Sequence, residues 1–157
     1  MSSSPYTTVL VGTDGSDSSF RAVDRAALIA RDAGAALVLA CAYRPMSDRE
    51  VADAQRALGG EGYKVSGSHP AEDVLRDAAD RARGLGAPDV QTKAIEGDAV
   101  DGLADLVVAT GADLLVVGNR GLNRLAGRLL GSVPANISHR AACDVLIVHT
   151  TGKGAKK

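Results

Sequence analysis

The 157-residue chain is one domain's worth of sequence, with 45% apolar and 24% charged residues, which excludes a disordered chain and a pair of independent cores. Aromatic residues make up 3%, with Phe20 the one Phe and no Trp, so the core must be built from Val, Leu, Ile and Ala, and base-stacking platforms for single-stranded nucleic acid are not expected. The formal net charge of −1 hides a division, because residues 1–117 carry 11 basic and 18 acidic side chains while residues 118–157 carry 7 and 1.

No apolar run approaches the ~20 residues of a membrane span, and the start, Met1 to Thr8, is too short and polar for a signal peptide. Cys41 and Cys143 each fall in an apolar run that reads as a strand, and no CxxC occurs. Buried, reduced thiols in a cytoplasmic chain are therefore expected.

In chain order, Thr7–Val11 is a β-branched run that ends in the turn-rich stretch Gly12-Thr13-Asp14-Gly15-Ser16. Ser16, with Ser18 as a second candidate, can cap a helix carrying Phe20, Val23, Ala27 and Ala30 and stopped by Gly34. Ala36–Tyr43 is apolar throughout, as a strand covered on both faces would be. Residues 44–67 mix Pro45 and four glycines with charge and read as a long loop with a partial helix from Asp48 to Leu58. A helix follows over Pro70–Arg83, through Val74, Leu75, Ala78 and Ala82. Val90–Ile95 alternates apolar and polar residues, as an edge strand does. Asp98 caps a helix carrying Val100, Leu103, Ala104, Val107 and Val108, stopped by Gly111. Leu114–Val117 is a fully apolar strand, Ser132 begins a short helix to Arg140, and Val145–Val148 is the last strand.

Strands alternating with helical crossovers predict an α/β three-layer sandwich: a five-stranded parallel sheet with helices on both faces. One domain over residues 7–150 is expected, with a flexible N-terminus at 1–6 and a flexible basic tail at 151–157. Ligands of such sheets bind beyond the carboxyl ends of the strands where the strand order reverses, which directs attention to the turns after strands one and four.

After strand four the sequence reads Gly118-Asn119-Arg120-Gly121, nine residues, then Gly131-Ser132-Val133. Glycines at 118 and 121 let a backbone approach a ligand closely, and Gly131-Ser132 opens a helix whose free N–H groups favour phosphate oxygens. Arg120, Arg124 and Arg128 supply positive charge. The plain alternative is that Gly118 is only the turn after a buried strand, and that Asp14 only satisfies N–H groups at a helix start. The G-x-x-x-x-G-K-[ST] and G-x-G-x-x-G phosphate loops are absent.

Together the segments VLVGTDGS, LLVVGNRG, GSVPANIS and DVLIVH resemble the universal stress protein family over about Thr7–Thr150. The G-x2-G-x9-G-S spacing is similar to that of the family's ATP-binding branch, and the likeness extends to single-domain actinobacterial members, some of which bind cyclic AMP. The resemblance implies the same α/β fold. It also implies that Asp14 meets the ribose hydroxyls or, through Mg²⁺, the phosphates. Gly12 and Thr13 would line the adenine end with Val117 beneath the base, and the main chain of Cys41 and Ala42 would read adenine. Gly118, Gly121, Gly131, Ser132 and Val133 would surround ribose and phosphates, with Arg120 near the phosphates. It further implies a homodimer through the last strand, Val145-Leu146-Ile147-Val148.

Scattered histidines (His69, His139, His149), the lack of HExxH and GxSxG, and one carboxylate where a receiver domain needs several leave no metalloenzyme, hydrolase-elbow or phosphorelay pattern. The expected function is a regulatory stress-response module that binds ATP, with or without Mg²⁺, without efficient turnover. Cyclic AMP buffering, slow ATP hydrolysis and a structural protein with a vestigial site are the alternatives. Neither nucleic acid nor membrane is an expected partner.

Overall fold

The computed structural model describes residues 4–43, 49, 52–53, 56, 69–120 and 132–150. Within them strands and helices alternate: β1 (Thr8–Gly12), α1 (Asp17–Ala33), β2 (Ala36–Tyr43), α2 (His69–Gly84), β3 (Asp89–Glu96), α3 (Ala99–Thr110), β4 (Leu114–Gly118), α4 (Ser132–Arg140) and β5 (Asp144–Val148). The five strands form one sheet in the order β3-β2-β1-β4-β5, every neighbouring pair parallel. Strand order reverses between β1 and β4. The α/β sandwich and its five-stranded parallel sheet are thus as expected.

The helices begin and end where local chemistry says they should. Ser16 accepts the amide of Ser19 at 3.1 Å, and Asp98 accepts that of Asp101 at 2.9 Å, so each satisfies a donor that has no partner inside its helix. Gly34 and Gly111 close α1 and α3 in the left-handed conformation. Ser18 is not a cap. Its hydroxyl lies 2.6 Å from that of Thr150, across the molecule, because Ser16 already holds the capping position.

Period-two alternation along the buried strands divides the core between two faces. Val9, Val11, Leu37, Leu39, Leu114 and Val116 point to α1 and α2, against Ala22, Val23, Ala26, Ala78 and Ala82. Leu10, Val38, Ala40, Leu115 and Val117 point the other way, against Leu103, Val107, Val133 and Ile137 of α3 and α4. The alanines let the helices sit close to the sheet. Arg81 binds Asp24 with Nη2 to Oδ2 at 2.8 Å and lies 5.5 Å from the Phe20 ring, which ties α2 to α1 across the outer surface.

Three expectations need correction or refinement. Val108 is 73% exposed, because Val100, Leu103 and Val107 already fill the inward stripe of α3 and Val108 projects one residue past it. Cys143 precedes β5 rather than lying in it and is half-buried, whereas Cys41 is buried in β2 as expected. Contacts of the domain begin at Tyr6, which packs on the core and donates its hydroxyl to Asp144 at 3.1 Å. In the expected 44–67 loop, Arg49, Ala52, Asp53 and Arg56 are helical, and the rest lies outside the described residues, as does the 151–157 tail.

Candidate functional site

The site forms because β1 is short. Gly12 of β1 pairs with Ala40, and Thr13 N–H donates to the Ala40 carbonyl at 2.9 Å. Beyond that point β2 pairs only with β3, so the side of Cys41 and Ala42 that faces β1 has no strand beside it. On the opposite flank β1 pairs with β4 only as far as Val116, while β4 and β5 stay paired to Gly118. The result is a notch at the carboxyl end of the sheet, walled by unpaired backbone edges of β2 and β4. Its position is the one where open parallel sheets bind ligands.

At the floor of the notch, the turn after β1 is locked by its own side chains. Ser19 Oγ donates to the Ser16 carbonyl at 3.0 Å and accepts from Asp14 N–H at 3.3 Å. With that proton committed, the 2.7 Å contact between Thr13 and Ser19 requires Thr13 to donate. Thr13 Oγ1 in turn accepts from Gly15 N–H at 3.1 Å. Gly15 has φ +85°, and a Cβ there would lie 2.7 Å from Val74 Cγ2, so only glycine lets this turn pack against α2.

This framework presents Asp14. Its Oδ1 accepts Ser16 N–H at 2.9 Å, while Oδ2 carries no hydrogen bond among the described residues. The half-buried carboxylate is therefore both a turn residue and an available acceptor. Burial pushes the Cys41 thiol up to about 11, and the charge of nearby Asp14 adds to the shift. Cys41 and Ala42 project to opposite faces of the sheet, with Cys41 in the α1–α2 core and Ala42 against the α3–α4 core. Only their main chain is common to the notch.

On the other wall Val117 is fully buried, Gly118 follows it, and Arg120 is exposed. Val133 of α4 packs into the same core as Val117. Ser132 is the first residue of α4, whereas Gly121 and Gly131, with Arg124 and Arg128, lie outside the described residues. The structure thus assembles Gly12, Thr13, Asp14, Cys41, Ala42, Val117 and Gly118 around one notch. The side chain of Thr13 is turned inward.

Sequence reasoning missed a polar chain behind the β4 wall. Asn119 Oδ1 accepts both the amide and the hydroxyl of Thr150 at 2.8 Å. The Thr150 hydroxyl also meets that of Ser18, and its carbonyl accepts from Arg21 Nη1 at 3.4 Å. No motif marks Thr150. The hint was its position just past a strand that ends beside β4.

A metal would find little here alone: among the described residues no group of three or more His, Cys, Asp or Glu side chains could hold one. Asp14 Oδ2 suits Mg²⁺ arriving with phosphate oxygens, since that ion commonly takes one or two carboxylates and fills its shell from substrate and water. Among the described residues no helix is long and apolar enough to cross a membrane.

Comparison with known proteins agrees with this fold. The universal stress protein family matches residues 5–149. The chain is 57% identical over 148 residues to the universal stress protein Rv1636 of Mycobacterium tuberculosis, covering 94% of this chain and 99% of that protein. A universal stress protein solved in complex with cAMP is 53% identical, with a TM-score of 0.72 over 94% of this chain and 100% of the other. UspA from Lactobacillus plantarum shares the fold at 23% identity, with a TM-score of 0.73 over 93% and 99% of the two chains. With nearly its whole length matched, the chain belongs to the universal stress protein family.

Proposed function

We propose that this chain is a regulatory protein that binds an adenine nucleotide in the notch between β1 and β4, and that ATP is held there through the G-x2-G-x9-G-S segment. The observation that carries the reading is the Asp14 carboxylate, fixed by its turn with one oxygen spent on Ser16 and the other available, at the strand-order reversal. A ribose offers vicinal hydroxyl donors to such an acceptor, and the bond is charge-assisted. The open main-chain edge at Cys41 and Ala42 suits the donor and acceptor edge of adenine. Gly12 and the main chain of Thr13 close the adenine end, and Val117 lies below the base. Gly118, Gly121, Gly131, Ser132 and Val133 wrap ribose and phosphates, with Arg120 near the phosphates. When Mg²⁺ accompanies the nucleotide, it neutralises phosphate charge, and Asp14 is the residue that would hold it.

Binding rather than turnover is the reading that the same arrangement supports. Hydrolysis needs a group that orients water besides one that stabilises charge, and Asp14 is the one notch carboxylate among the described residues. A second reading, cyclic AMP as the ligand, is favoured by the 53%-identical relative solved with that nucleotide.

Titration calorimetry with ATP, with and without Mg²⁺, and with cyclic AMP tests both. Asp14→Asn should weaken ATP by about tenfold or more, the value of a charge-assisted hydrogen bond. It should weaken cyclic AMP less, because the 3′ oxygen of that ligand is esterified and cannot donate. Phosphate release should stay at background. Wild-type protein that binds neither nucleotide would overturn the reading, and tighter metal-independent binding of cyclic AMP would select the second ligand.

A further inference from the structure

The floor of the notch and its β4 wall come from distant parts of the chain, and one side chain ties the exit of β4 to the helix that follows the floor. We propose that Thr150 is a positioning residue for the nucleotide site: it fixes the outgoing end of β4 against the first turn of α1 and so sets the spacing between the Asp14 turn and Gly118. The proposal rests on the adenine-nucleotide reading above.

Thr150 is 3% exposed and follows β5, with every polar group it carries engaged. Its N–H and its hydroxyl both donate to Asn119 Oδ1 at 2.8 Å. Because the hydroxyl proton is committed to Asn119, Ser18 must donate its own proton to Thr150 Oγ1 across the 2.6 Å contact. The carbonyl of Thr150 accepts from Arg21, one turn further along α1. Its methyl faces Gly118, where a Cβ would lie 3.3 Å from Thr150 Cγ2, tighter than most real contacts. Asn119 N–H binds the Val148 carbonyl at 2.9 Å, which keeps the β4 exit beside β5.

Each partner lies next to a residue placed in the site. Ser18 is the chain neighbour of Ser19, whose hydroxyl and amide hold the Asp14–Ser16 turn, while Gly118 and Asn119 are where the chain leaves β4. The chain Ser18–Thr150–Asn119 is thus a three-membered strut, and Thr150, 3% exposed with its polar groups spent on protein partners, acts on the site through those partners. A ligand that bridges Asp14 and the end of β4 needs both held at one separation. Loss of the strut loosens the end of β4 beyond its last pairing with β1 at Val116, and the cost of ordering it falls on binding.

The test uses Thr150→Val, which keeps the shape and the amide but removes the hydroxyl, Thr150→Ser, which keeps the hydroxyl, and Ser18→Ala. Affinities for Mg²⁺–ATP and cyclic AMP are measured by calorimetry on the full chain, well below each variant's unfolding temperature. Thr150→Val should raise Kd about tenfold and Ser18→Ala about threefold, while Thr150→Ser stays within about twofold of wild type. A residue that only stabilised the fold would lower the melting temperature and leave Kd in the folded protein unchanged. Unaltered affinity in Thr150→Val, or an equal loss in Thr150→Ser, overturns the proposal. Should Thr150→Val fail to fold, Ser18→Ala decides alone: a threefold loss supports the strut and wild-type affinity overturns it. Wild-type protein that binds neither nucleotide is a different failure, that of the reading beneath.

Discussion

Asp113 shows how much one side chain can organise. Its two oxygens accept the amide of Thr7 at 2.9 and 3.1 Å, the Thr8 amide at 3.1 Å and the Thr7 hydroxyl at 2.9 Å, while its own N–H donates to the Thr8 carbonyl at 3.0 Å. These bonds hold the entry to β4 beside the entry to β1, at the opposite end of the two strands from the notch. Partial burial pushes the carboxyl up, but the hydrogen bonds from Thr7 and Thr8 outweigh it and hold the group below its ordinary value. A folded-state value below the unfolded one means that the stabilisation is present above the unfolded value, near pH ~4, and is lost as pH falls through the folded value. Asp113→Asn should therefore cost about 1–2 kcal/mol at neutral pH, and urea midpoints of the two proteins should converge as pH falls through the lowered value of Asp113. A gap that ignores pH would show that charge plays no part. Asp14 was legible in the sequence because its bond to Ser16 spans two residues and belongs to turn chemistry. Thr150 and Asn119, 31 residues apart, were not legible, because no local rule links them and only the pairing of β4 with β5 brings them together.

At the scale of elements, the strands and the capped helix ends were read closely because each depends on short-range chemistry: β-branched runs, Ser16 and Asp98 as acceptors, Gly34 and Gly111 as stops. The facing of α3 was read less well. Val108 extends the apolar stripe in sequence, yet the stripe that meets the sheet is only as wide as Val100, Leu103 and Val107 allow. What no pattern announced is Gly102, where the helix presses on β3. A Cβ there would fall within the van der Waals envelope of Ile95 Cγ2, while the backbone at Gly102 is ordinary helix. Alanine in place of glycine is worth about 1 kcal/mol in helix propensity, and overpacking costs about 1–3 kcal/mol. Gly102→Ala should thus destabilise on balance in denaturant titrations. In an Ile95→Ala background the clash is gone and the same substitution should become neutral or stabilising, a coupling of about 1 kcal/mol or more. Additive effects would mean that α3 simply shifts to make room.

Among the described residues the sheet has two unpaired edges, and they differ in kind. The β3 edge presents Gln91, Thr92 and Lys93, all exposed, and polar or charged residues of this sort discourage pairing with another strand. The β5 edge presents Val145 and Leu146, half-buried, and Ile147, 38% exposed, with no charge after Asp144. We propose that the protein assembles through β5, its last strand antiparallel to that of a second copy across a two-fold axis, because this covers the apolar edge and gives every subunit the same contact. β5 also leads directly into Thr150, so the interface and the notch share a boundary at His149 and Asn119, whose ring and amide nitrogens lie 3.4 Å apart. Sedimentation equilibrium at micromolar concentration should give about twice the 16.0 kDa chain mass. Ile147→Asp places a charge where the strands meet and should give a monomer that retains wild-type circular dichroism, whereas Lys93→Ala on the other edge should leave the mass unchanged. A wild-type monomer, or an Ile147→Asp dimer, refutes this interface, and dissociation by Lys93→Ala moves it to β3.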